Sequence, residues 1–75
     1  MIEKTINISS IECAKDFVAV VNNYKSKITL SSDRYKVNGK SLLGVFTLDY
    51  NNPIKACIDG EDEKELSVQL DKFIN

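Results

Sequence analysis

The sequence predicts a small two-layer α+β domain of four strands and three helices, one of them short, with one helical face and one open sheet face. Three observations carry that expectation. Apolar and polar residues alternate in four short runs, apolar residues recur at helical spacing in two longer ones, and the elements follow the order β-α-β-β-α-β-α within 75 residues. A chain of this length has apolar material for one core only, so residues 1–75 are read as a single domain.

Ile2, Ile6 and Ile8 alternate with Glu3, Thr5 and Asn7, the period-two pattern of a half-buried strand over residues 2–8, although Lys4 interrupts the apolar face. Ser9-Ser10-Ile11-Glu12 then has the Ser-x-x-Glu spacing of a capping box. Ile11, Ala14, Phe17, Val18 and Val21 follow at near-helical spacing, and Asn22-Asn23 can take the left-handed stop, which predicts a helix over residues 10–22. A short link, Tyr24 to Ser26, leads into a strand over 27–32 with Ile28 and Leu30 inward. Ser32-Asp33-Arg34 is polar turn material before a second strand over 35–38, so the pair reads as a hairpin. Ser41 can cap a short helix over 41–48, shortened by Gly44 in its middle. Asp49 to Pro53 is a turn by composition. Beyond it Ile54, Ala56 and Ile58 face one way, Lys55, Cys57 and Asp59 the other, and Gly60 ends the strand. Leu66, Leu70, Phe73 and Ile74 recur at i, i+4, i+7 and i+8 in a final helix over 62–74, with acids at its start and Lys72 near its end, as the helix dipole favours. The expected shared core is Ile6, Phe17, Val21, Ile28, Ala56, Leu66, Leu70 and Phe73.

Composition excludes several function classes. Ten Lys+Arg against eleven Asp+Glu leave a net charge of −1, so no overall field draws the chain to nucleic acid or an anionic membrane. No apolar run approaches the roughly 18 residues of a spanning helix, and Met1-Ile2-Glu3-Lys4 lacks signal-peptide grammar. A cytoplasmic protein without membrane insertion is expected. Two cysteines are too few for a disulfide framework, and the sequence contains no histidine, which removes histidine-based metal sites, Ser-His or Cys-His pairs and phosphohistidine chemistry. Cys13, in the first turn of the first helix, is a packing residue or a reactive thiol, and the neighbouring Glu12 opposes thiolate formation. Asp59, Glu61, Asp62, Glu63 and Glu65 match no calcium-loop spacing and are read as a solvated helix start. Neither a metal nor a cofactor is expected.

Motif order then points to a family. Lys40-Ser41-Leu42-Leu43-Gly44-Val45 after a hairpin resembles the Lys-Ser-Ile-Met-Gly-Val segment of HPr, the phosphocarrier of bacterial sugar phosphotransferase systems. Gly60-Glu61-Asp62-Glu63 resembles that family's Gly-x-Asp-Glu, and Glu3-Lys4-Thr5 its first strand. The resemblance covers nearly the whole chain and implies an open-faced β-sandwich in which four antiparallel strands form one sheet with three helices on one face, the middle helix short.

It also implies where chemistry should reside and is missing. The family's phosphoryl-accepting His-x-Arg-Pro segment opens helix one; here Arg-Pro aligns with Glu12-Cys13 and the histidine falls near Ser10. A serine needs an activating base, and an acid in place of the arginine repels incoming phosphate. Ser41 matches the serine that a dedicated kinase phosphorylates in Gram-positive members, with Lys40 beside it; equally, it is an ordinary N-cap hydroxyl. Leu42, Leu43 and Phe46 correspond to the family's docking patch, with Lys40 beside them as a further partner-binding residue, whereas Leu48 should face inward. The expectation is therefore a non-enzymatic, monomeric HPr-like module that binds phosphotransferase-system or regulatory proteins, with Ser41 as its switch and an HPr-type serine kinase among its partners. Two alternatives stand beside it: a phosphocarrier using a non-histidine acceptor such as Ser10, and a thiol-dependent factor built on Cys13.

Overall fold

The computed structural model describes residues 1–32, 35–48 and 51–74. The expected hairpin tip at Asp33-Arg34 and the Asp49-Tyr50 part of the following turn lie outside the described residues. Strands β1 (Ile2–Ile6), β2 (Lys27–Ser32), β3 (Tyr35–Asn38) and β4 (Ile54–Asp59) form one antiparallel sheet in the order β1-β4-β2-β3. Register is fixed by the apolar alternation, because a one-residue slip would turn every inward side chain to solvent. Ile58 therefore sits between Ile2 on one side and Ile28 on the other, and Ala56 between Lys4 and Leu30.

Helices α1 (Ile11–Val21), α2 (Leu42–Phe46) and α3 (Glu63–Leu70), with a 3-10 turn over Asp71–Phe73, cover the inward face. All eight residues expected in the shared core are buried, joined by Ile8, Ala14, Leu30, Val45, Leu48, Ile54 and Ile58. The opposite face, carrying Thr29, Lys55 and Cys57, is open. The predicted fold is thus the observed one.

Lys4 resolves its conflict with the apolar face by reaching the rim, where its amine pairs with the Asp71 carboxylate. The backbone stops pairing after Ile6, and the Asn7 N–H donates to the Phe73 carbonyl at 2.8 Å, so β1 ends two residues before the expected boundary while Ile8 still buries.

Three local expectations are corrected. The cap of α1 is Ser10, whose Oγ accepts from the Cys13 N–H at 3.1 Å; Ser9 lies outside the helix and the Ser9–Glu12 capping box does not form. Ile11 consequently occupies the first helical position, 58% exposed, rather than the core stripe. The helix also does not end at Asn22 through a left-handed residue, because Asn22 keeps right-handed angles. Instead its side-chain amide donates to the Val18 carbonyl at 2.8 Å and to the Lys40 carbonyl at 3.2 Å, fastening α1 to the segment before α2. Finally, the last helix tightens to 3-10 geometry at Asp71, which rotates Ile74 out of the apolar stripe and leaves it exposed.

The acidic run before α3 is more than a solvated helix start. Asp62 makes no side-chain cap bond to its own helix. Its carboxylate accepts instead from the Lys25 N–H at 2.8 Å, the Ser26 N–H at 2.9 Å and the Ser26 hydroxyl. This clamp joins the start of α3 to the entry of β2. Donation from the Ser26 hydroxyl, then from the Lys25 N–H, holds the Asp62 carboxyl below its ordinary pKa. A carboxyl that titrates lower in the folded than in the unfolded chain contributes stability above the unfolded pKa, about 3.9, and loses it as pH falls through the folded value. The advantage of the wild type over Asp62→Asn should accordingly be constant from about pH 7 to pH 5 and shrink below about pH 4. Paired urea titrations across that range measure it; a difference that grows on acidification would contradict the clamp.

Candidate functional site

Two surfaces carry the residues singled out by sequence. The first is the opening of α1. Ser10, Glu12 and Cys13 line a shallow groove with Asp16 and Val20, closed on one side by Lys72 and Phe73. Ser10 is exposed, and its oxygen is engaged as acceptor for the helix cap. Glu12 is exposed to solvent, so the arginine-equivalent position presents a carboxylate. Cys13 is a free thiol, half-buried and packed against the core.

The second surface is built on α2. Ser41 caps the helix by accepting from the Gly44 N–H at 3.2 Å, and it remains exposed. The helix is short because Thr47 turns its hydroxyl onto the Gly44 carbonyl at 2.7 Å and ends the turn. Within five residues the side chains divide sharply: Val45 is fully buried, Leu42 is half-buried, Leu43 is 78% exposed and Phe46 36% exposed. A side chain at Gly44 would place its Cβ 3.3 Å from Val37, so the glycine lets α2 sit close against β3. Leu48 is buried, as its inward assignment required.

Lys40, expected as a local positive charge beside Ser41, is also a fastening: its Nζ donates to the Tyr24 carbonyl at 2.6 Å, and its own N–H donates to Asn38 Oδ1 at 2.9 Å. The residue thereby anchors the link after α1. Helix α1 packs against α2, and Asn22, which sequence reasoning passed over as a helix stop, adds the bond described above.

The family profile described as "PTS HPr component phosphorylation site" matches residues 4–75. The chain belongs to the HPr family. It is 36% identical over 73 residues to the phosphocarrier protein HPr of Borreliella burgdorferi, covering 95% of this chain and 85% of that one. The crystal structure of HPr-C-His from Thermoanaerobacter tengcongensis superposes with a TM-score of 0.84 at 30% identity, covering 96% of this chain and 89% of the other. The Bacillus subtilis catabolite repression containing protein Crh, solved as a swapped dimer, superposes with a TM-score of 0.72 at 27% identity, covering 95% and 83%. HPr proteins are phosphocarriers of the phosphotransferase system and not enzymes, in agreement with the non-enzymatic reading. Against that family background this HPr chain has no histidine anywhere in its 75 residues. Among the described residues no helix is long and apolar enough to cross a membrane.

Proposed function

We propose that this chain is an HPr-family module without the histidine relay, working in the cytoplasm as a monomeric regulatory or protein-binding domain, with Ser41 as the site where a serine kinase switches it. The observation that carries this reading is the pairing of an exposed Ser41 hydroxyl with exposed Leu43 and Phe46 on the next turn, on a chain lacking an imidazole acceptor. On a five-residue helix Leu43 stands 78% exposed and Phe46 36% exposed, so apolar surface is presented to solvent beside Ser41. Likeness to a Bacillus subtilis protein named for catabolite repression is in keeping with a regulatory role.

Phosphorylation of Ser41 would add about −1.5 to −2 charges at neutral pH beside the apolar patch. Negative charge at a helix start is locally favoured, so the fold should survive while partner preference changes. Lys40 holds the Ser41 segment in place through the Tyr24 carbonyl and keeps its positive charge beside it.

Ser41→Asp should leave the melting temperature nearly unchanged, whereas Ser41→Ala should lose about 0.5–2 kcal/mol of capping energy. The experiment pairs those melts with labelling by an HPr-type kinase and with binding of phosphotransferase-system and regulatory proteins to wild type, Ser41→Asp and Leu43→Ala. Labelling of Ser41 together with a changed partner set is the expected result. Failure of both, with identical partners for all three proteins, would leave Ser41 as a helix cap and Leu43 as a bystander. The competing reading, phosphate carriage by Ser10, draws only on that hydroxyl's exposure at the histidine-equivalent position and is opposed by the adjacent Glu12 carboxylate.

A further inference from the structure

The peptide group joining Tyr24 to Lys25, in the link between α1 and β2, lies between two charged side chains. Its carbonyl accepts from the Lys40 Nζ at 2.6 Å, and its N–H donates to Asp62 Oδ2 at 2.8 Å. An ammonium on the oxygen polarises the amide and makes the N–H a better donor to the carboxylate, so each bond strengthens the other. Half-burial of Lys40 keeps water from diluting the effect. Lys40 belongs to the segment before α2 and Asp62 to the start of α3, so one amide connects the two helix starts in series.

The Lys40 end of this series is open to competition. Its acceptor is an uncharged carbonyl, while the next residue along the chain is Ser41 with its exposed hydroxyl. The backbone of Lys40 is held independently of its amine: the Asn22 side-chain amide donates to the Lys40 carbonyl at 3.2 Å, and the Lys40 N–H donates to Asn38 Oδ1 at 2.9 Å. The flexible four-carbon stem can therefore swing while the Lys40–Ser41 peptide stays where it is. A phosphate on Ser41 would offer, one residue away, about −1.5 to −2 charges and three acceptor oxygens. Hydrogen bonds between ionised partners are roughly twice as strong as those to neutral ones, so the amine leaves Tyr24 for the phosphate.

We propose that Lys40 is the moving part of the Ser41 switch: a phosphate on Ser41 draws its ammonium off the Tyr24 carbonyl, the Lys25–Asp62 bond weakens, and the link between α1 and β2 loosens. This rests on the reading of Ser41 as a modification site and gives that modification a consequence at residues 24, 25 and 62, none of which belongs to the docking patch. The loosening is local. The Ser26 N–H and hydroxyl both bond the other carboxylate oxygen, Oδ1, and keep their hold, so the sheet and the core stay as they are.

The test is amide hydrogen exchange by NMR on the full chain with phosphoserine installed at position 41 during translation, which bypasses any kinase. Exchange at Lys25 should quicken about tenfold on phosphorylation while Leu30 and Ile58 in the sheet keep their rates. Lys40→Met should reproduce that change without phosphate, and phosphoserine should add nothing further in the Lys40→Met background. Ser41→Ala, which weakens the cap of α2 but leaves Lys40 on Tyr24, should leave Lys25 as in the wild type. An unaltered Lys25 rate in the phosphorylated chain, an equal response to phosphoserine with and without Lys40, or quickening in Ser41→Ala would overturn the proposal. Because the phosphate is installed, a chain that no kinase labels yet responds at Lys25 refutes the kinase reading and upholds the coupling, whereas a chain that is labelled but silent at Lys25 does the reverse.

Discussion

Phe17→Ala should lower the unfolding free energy by about 3–5 kcal/mol. Phe17 is completely buried, and its ring meets that of Phe73 edge-on, with centroids 5.3 Å apart and planes at 77°. It therefore joins α1 to the C-terminal turn, and truncation opens a cavity between two elements. For a domain whose whole stability is of the order of 5–15 kcal/mol, the loss leaves a protein close to half-unfolded at modest urea concentrations. Leu70→Ala, at another fully buried position, should cost about 2–5 kcal/mol. Leu43→Ala is the control: at 78% exposure it should stay within about 0.5 kcal/mol. Urea unfolding of the three variants measures this, and a loss below about 1 kcal/mol for Phe17→Ala would contradict a core shared by all three helices.

Gly60→Ala should be the most damaging single-methyl addition to the chain. A Cβ at Gly60 would fall 2.6 Å from the Cα of Ser26 and 2.8 Å from its Cβ, distances that neither backbone can accommodate without moving. The movement would occur where Ser26 and Asp62 form their clamp, so strain and loss of hydrogen bonds would arrive together. Overpacking of this kind costs about 1–3 kcal/mol, and losing the clamp adds to it. Urea melts alongside amide exchange at Lys25 and Ser26 report both parts. A Gly60→Ala protein of wild-type stability with protected Ser26 would show that the β2 entry and the β4 exit are not in contact.

Much of this architecture is legible in the sequence because burial is periodic. The bounds of β2 and β3 follow from alternation around Ile28, Leu30 and Val37, and the core members of α1 and α3 follow from helical spacing. Positions at element ends were less legible, since the same spacing fits Ile11 and Ile74 whether or not the helix reaches them, and only cap geometry decides. Polar fastenings were not legible. An aspartate preceding a helix reads as a cap, and only the folded chain brings Lys25 and Ser26 to Asp62, 37 and 36 residues away. Lys40 next to Ser41 reads as a local charge, and only the return of the chain past Tyr24 provides its acceptor. The candidate site divides along the same line. Ser41, Leu43 and Phe46 could be named from a contiguous motif, whereas the bond by which Asn22 fastens α1 to the segment before Ser41 could not, because its partner is the Lys40 carbonyl, 18 residues away.

The loss of the histidine relay is tested most directly by incubating the purified protein with the general phosphotransferase enzyme and labelled phosphoenolpyruvate. With no imidazole in the chain, Ser10 occupied as a helix cap and Glu12 presenting negative charge, no phosphoryl group should transfer at a rate relevant to sugar uptake. Rapid labelling, whether acid-labile or as an acid-stable ester on Ser10, would contradict the account and make the chain a working phosphocarrier.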